Sequence, residues 1–151
     1  MNKLIASIFG IGYVKGGGTV AAAVTCGIIW LLWNAQVSAV IFCALCIAVT
    51  LLGVYVGNKV EPYWGKDSYR VVIDEVAGMW IAMLFIPQSF TLLIAGFILF
   101  RFFDIVKPLG VRRMEVFKGG WGVMADDVLA GIYANIVLQI VVFFHLFGIQ
   151  K

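Results

Sequence analysis

Histidine is almost absent from this sequence, with His145 the single example. It falls near the far end of the last apolar stretch, where an interfacial polar residue is expected, so imidazole catalysis is set aside. Cysteines number three, an odd count, and Cys26, Cys43 and Cys46 all lie in apolar stretches, which is not the pattern of a disulfide framework. Cys43 and Cys46 have the spacing of a redox motif. No βαβ pattern surrounds them, however, and free cysteine also serves as a small hydrophobe. There is no Cys-x5-Arg arrangement, which removes cysteine-phosphatase chemistry, and no Asp-x-Asp, which removes an aspartyl-phosphate enzyme of that type. Charge is scarce as well. Charged residues make up 13% of the chain, the net charge is only +3, and no basic run occurs, so nucleic acid is not an expected partner.

What fills the chain instead is apolar. Hydrophobic residues are 63% of the 151, and the mean hydropathy is +1.04. Soluble domains sit near ~45–50% apolar, and a chain this short cannot bury so much side-chain surface in a core of its own. Lipid is the solvent that fits. The expected fold is all-α, a compact polytopic membrane bundle of about five hydrophobic helices with a Gly-rich N-terminal segment, forming one domain over residues 1–151. Lys3 is not followed by a cleavable signal pattern, so the chain is expected to enter the bilayer and stay there.

The hydrophobic segments run about 18–33, 37–57, 71–86, 90–106 and 127–147. A crossing needs roughly 20 apolar residues. The second and fifth meet this unaided, while the others reach it by including polar ends. The connections around Asn34-Ala35-Gln36 and Pro87-Gln88-Ser89 are tight and uncharged, whereas 58–70 and 107–126 are longer and charged. Five crossings put both charged loops on the N-terminal side. The positive-inside rule makes that side cytoplasmic and the C-terminus, with Lys151, external.

The acidic residues share that side, and a plain membrane anchor has no need of them in its helix ends. Asp74-Glu75 and Asp126-Asp127 are each read as opening a hydrophobic helix, and each is followed within a turn by Ala-Gly, at Ala77-Gly78 and Ala130-Gly131. Small residues let helices pack closely in lipid, which would bring the acidic pairs together. Like charges at close quarters need a compensating cation, and Mg2+ is typically held by carboxylates plus substrate phosphate. The plainer reading is that acids stabilise the first turn of a helix through its dipole. Arg101, Asp104 and Lys107 recur at three-residue steps on one helix face. They are either a salt-bridged helix end with a snorkelling arginine, or a set with Asp104 on the metal and the two cations on phosphate. Gly10-Ile11-Gly12 and Gly16-Gly17-Gly18-Thr19 precede the first long helix. They are either a flexible loop or a phosphate-binding helix start, and no Gly-Lys-Ser/Thr follows to make them a P-loop.

Taken together, residues 72–78, 100–108 and 119–131, with the glycine-rich opening at 10–19, resemble the phosphatidylglycerophosphatase A family over nearly the whole chain. The sequence departs from the family pattern at Gly17, Ala21-Ala22 and Gly110. The resemblance implies a Mg2+-dependent phosphomonoesterase of the bacterial inner (cytoplasmic) membrane, hydrolysing phosphatidylglycerophosphate to phosphatidylglycerol and phosphate at the cytoplasmic face. Asp74, Glu75, Asp126 and Asp127 would be the metal ligands, and Asp104 a further ligand or base. Thr19, Arg101 and Lys107 would hold the phosphate. Arg112 and Arg113 are expected on anionic headgroups, each contributing ~1 kcal/mol. Two rivals stand beside this reading. A phosphoalcohol transferase would carry a longer Asp-Gly…Asp…Asp array, which is absent. An ion carrier would need polar residues along the whole crossing, and the outer helix halves are almost uncharged. Oligomeric state is not readable from the sequence.

Overall fold

The computed structural model describes residues 1–66, 68–108, 111 and 119–144. The expectations placed on Gly110, Arg112, Arg113, His145 and Lys151 lie outside the described residues. Among the described residues the chain is entirely helical: α1 (Asn2–Ala6), a short 3-10 turn (Ile11–Tyr13), α2 (Gly17–Asn34), α3 (Ala39–Trp64), α4 (Ile73–Ala82), α5 (Phe90–Val106) and α6 (Gly120–Phe143). Helices α2, α3 and α6 are long and apolar enough to cross a membrane, yet only 33%, 28% and 33% of their apolar windows are buried within the protein. Residues such as Leu31, Ile47, Leu51, Ile98 and Ile140 face outward. In water that surface would be untenable; in lipid it costs nothing.

Three of the expected boundaries move. The second segment does not stop at residue 57 but continues to Trp64, through Pro62. A proline so near the end removes a single ladder bond and leaves the helix intact. The fifth segment begins seven residues early, at Gly120, because Asn58 of α3 accepts the Gly120 N–H at 2.8 Å and so starts the helix. The third segment is the largest departure. Its 16 residues give a helix of only 10, about 15 Å long at 1.5 Å per residue, half the hydrocarbon thickness.

This short α4 forms the centre of the bundle. Eight of its ten residues are buried, and it packs against α2, α3, α5 and α6. One core cluster joins α2, α4, α5 and α6 with the first half of α3, around Ile29, Phe42, Met79, Met83, Leu92, Phe100 and Leu138. A second joins α1, α3, α4 and α6 around Val56, Val60, Ile73 and Met124. Closely spaced backbones make the assembly compact. A methyl group on Gly57 would press on Gly120, and one on Gly120 would overlap the Val54 carbonyl. The starts of α2, α4 and α6 and the ends of α3 and α5 all gather at one end of the bundle.

Candidate active site

The start of α4 is fixed from outside. The Val72 N–H donates to the Ala6 carbonyl of α1 at 2.9 Å, which holds the first turn of α4 against the N-terminal segment. Asp74 and Glu75 are the second and third residues of that helix. The Glu75 backbone N–H donates to Asp74 Oδ1 at 3.1 Å. From α6, Asp127 reaches the same point, and carboxylate oxygens of Asp74, Glu75 and Asp127 lie within 4.8 Å of one another. Asp74 is 9% exposed and Asp127 4%.

What brings the two helices this close is the pairing expected of the Ala-Gly positions. Ala77 and Ala130 are fully buried, and Gly131 lies against the carbonyl of Gly78 with no space for a Cβ. Glu75 has a third neighbour. Its Oε1 occupies the position a side chain on Gly18 would take, in the first turn of α2. Gly16, in the left-handed region at φ 75°, leads into that turn, and no side chain caps it, so the amide end of α2 opens toward the carboxylates.

The basic residues complete the arrangement. Arg101 Nη1 lies 2.6 Å from Asp104 Oδ2 and 3.9 Å from Glu75 Oε1. Lys107, at the end of α5 with φ 48°, donates through Nζ to Asp126 Oδ2 at 2.6 Å. All these groups line one cavity of about 610 Å³. Each of the eight residues expected from the sequence is on its wall: Thr19, Asp74, Glu75, Arg101, Asp104, Lys107, Asp126 and Asp127.

The structure groups them differently from the expected pairs. Asp126 and Asp127 do not open a helix; they are the seventh and eighth residues of α6, beyond the first turn in which the helix dipole acts. Adjacent residues on a helix point about 100° apart, so the two carboxylates diverge. Asp127 joins Asp74 and Glu75, while Asp126 meets Lys107. Tyr13, Lys15, Ser68 and Tyr69 also line the cavity and were not singled out from sequence. Lys15 had a readable signal, a cation directly before three glycines; the others had none.

The donor set suits a hard divalent ion. Three carboxylates from two helices offer oxygen only, and Glu75 Oε2 is buried without a hydrogen-bond partner among the described residues. Around the cavity five acidic residues face three basic ones, Lys15, Arg101 and Lys107, two more acids than bases.

Comparison with known proteins follows the same line. The sequence model of the phosphatidylglycerophosphatase A family matches residues 4–142. A Bacteroides thetaiotaomicron protein provisionally named phosphatidylinositol-3-phosphatase is 45% identical, the match covering 91% of each chain. Phosphatidylglycerophosphatase A of Haemophilus influenzae is 46% identical over 65% of this chain and 60% of its own length. The Escherichia coli protein of that name is 33% identical over 69% of this chain and 59% of its own. No solved structure matches the chain significantly.

Proposed function

This chain belongs to the phosphatidylglycerophosphatase A family, and we propose that it is a Mg2+-dependent lipid phosphomonoesterase that converts phosphatidylglycerophosphate to phosphatidylglycerol and phosphate. The observation that carries this reading is the carboxylate triad beside Arg101, in a cavity whose other wall is the amide end of α2. A phosphate monoester needs both halves of that arrangement. The anion-binding half orients it, and the carboxylate half holds the cation that offsets its charge.

Asp74, Glu75 and Asp127 would hold Mg2+. When bound, the ion supplies neutralisation of the phosphoryl oxygens and a more acidic water. The chain's own groups do the rest. Arg101, held in place by Asp104, presents its planar fork to the phosphoryl oxygens. The amides at Gly18 and Thr19, with the Thr19 hydroxyl, receive the same group from the other side. Water adds to phosphorus, and its proton passes to a cavity carboxylate. The P–O bond to the headgroup breaks, and the departing oxygen keeps the electron pair and takes up a proton. Asp126 keeps Lys107 directed at the cavity, where its charge adds to the attraction for phosphate.

The siting follows from the charges. The cavity lies at the end of the bundle that carries Lys15, Arg101 and Lys107, and basic residues favour the cytoplasmic side of a bacterial inner membrane. A phospholipid headgroup lies at that depth. The Bacteroides relative supports a second substrate of the same chemistry, a 3-phosphorylated inositol lipid. Phosphate release by the purified protein from each lipid, with and without Mg2+, tests the proposal. Release from phosphatidylglycerophosphate that requires Mg2+ supports the first reading. Preference for the inositol lipid selects the second, and no release from either overturns both.

A further inference from the structure

Helices α4 and α6 run parallel and in register over three levels. Asp74, Gly78 and Ala82 are spaced four residues apart on α4, and Asp127, Gly131 and Asn135 are spaced four apart on α6. Residues four apart share a helix face. At the cavity end the Asp74 and Asp127 carboxylates meet. In the middle Gly78 and Gly131 touch. At the far end Asn135 Nδ2 donates to the carbonyls of Ala82 at 3.0 Å and Leu84 at 2.8 Å. One turn further on, Gln139 Nε2 donates to Leu84 at 3.3 Å and to Phe85 at 3.5 Å.

The far end is where α4 has a problem to solve. It stops after ten residues, half the length of a crossing, and the Ala82 carbonyl, with those of Leu84 and Phe85 in the turn that follows, needs donors that lipid does not supply. Asn135 and Gln139 are amide side chains in the uncharged far half of α6, and both are spent on this turn. A cap on α4 made from the helix that carries Asp127 also fixes how far α4 can slide along α6.

We propose that Asn135 is a positioning residue: its bonds to Ala82 and Leu84 set the axial register of α4 on α6, and so the approach of Asp74 and Glu75 to Asp127. This rests on the metal-site reading given above. Because the carboxylates and the cap lie at opposite ends of a rigid ten-residue helix, loss of the cap is felt at the cavity as displacement.

The test uses the full chain in detergent and three variants, Asn135→Leu, Asn135→Gln and Gln139→Leu. Mn2+ is the probe for the site, its binding read by electron paramagnetic resonance, alongside phosphate release from phosphatidylglycerophosphate. Asn135→Leu is expected to weaken Mn2+ binding and lower kcat by about tenfold or more, the scale seen when groups behind metal ligands are lost. Its KM stays within about twofold, because the phosphate contacts on α2 and α5 are untouched. Gln139→Leu moves both quantities the same way by less, and Asn135→Gln, which keeps the donor, recovers much of the loss. A merely structural cap lowers the melting temperature but leaves the Mn2+ affinity and kcat of the folded fraction at wild-type values, and that result overturns the proposal. Should Asn135→Leu fail to fold, Gln139→Leu decides on the same two readings. A wild-type protein that turns over substrate yet binds no Mn2+ refutes the metal reading separately, and the kcat-against-KM split then judges Asn135 alone.

Discussion

Gly78 and Gly131 meet backbone to backbone. A methyl group on Gly131 would overlap the Gly78 carbonyl oxygen, and one on Gly78 would run into the Asp127 carbonyl and the Phe100 ring. This contact, one turn from Asp74 and Asp127, is what lets two helices bring carboxylates together in a bilayer.

Gly131→Ala therefore has a specific expected outcome. The added methyl must part α4 from α6 or distort one of them, a kind of overpacking that costs about 1–3 kcal/mol. A lowered melting temperature together with a large loss of phosphate release is expected. The matching change at Gly27, which has open space around it, leaves both measurements near wild type.

The contrast between Gly78 and α4's boundaries shows what the sequence could disclose. The Ala-Gly steps after each acidic pair were legible, because small residues in an apolar span have few uses other than close packing. The acidic residues of the cavity wall, with Arg101 and Lys107, were legible for a related reason, since each charge retained in a membrane chain needs a purpose; Lys15 and the uncharged wall residues Tyr13, Ser68 and Tyr69 were not. The length of α4 was not legible. Residues 76–86 are apolar throughout, and nothing in that run marks an end at Ala82, whose carbonyl is taken up by Asn135, more than fifty residues later. The start of α6 was hidden likewise, since Gly119-Gly120-Trp121-Gly122 reads as a loop until Asn58 is seen to cap it. Which member of Asp126-Asp127 joins the triad depends on the rotation of α6, a tertiary quantity.

Lys107 and Asp126 form a mostly buried pair, with side chains 20% and 7% exposed. Removing one partner deletes a charge-assisted hydrogen bond from a mostly buried site, a change that costs about 1.5–3 kcal/mol. Lys107→Met and Asp126→Asn are each expected to lower the melting temperature clearly. The double variant is expected to lose less than the sum of the two, because each single change already removes the contact they share. A loss in the double variant equal to the sum of the two single losses would show the pair to be uncoupled.

Arg101 has a narrower requirement. Its Nη1 contacts Asp104 and approaches Glu75, and the planar fork has further nitrogens for a phosphoryl group. Arg101→Lys keeps the charge and loses the fork. kcat/KM is expected to fall by about 100-fold, the scale of one lost transition-state donor, while insertion and melting stay normal. Full activity in this variant would reduce Arg101 to a snorkelling cation.

The acidic triad separates an enzyme from a scaffold. Asp74 and Asp127 are buried on facing helices, and Glu75 lies within 4.8 Å of both. Without a cation, three carboxylates so close repel one another, and each is poorly solvated. Removing one charge relieves that repulsion in the metal-free protein but deletes a ligand. Asp74→Asn and Asp127→Asn are thus expected to melt in metal-free detergent at or above the wild-type temperature. Added Mg2+ raises the melting temperature of the wild type and does so far less for the variants. Both variants lose most turnover, and excess Mg2+ restores little of it, because Asn offers a neutral oxygen in place of a charged one. Stabilisation by the helix dipole predicts the reverse: a loss of about 0.3–1 kcal/mol with activity kept. That alternative is already hard to apply to Asp127, which lies eight residues into α6. Melting curves and phosphate release from the same preparations decide the matter, and near-normal turnover in both variants would falsify the metal-site assignment.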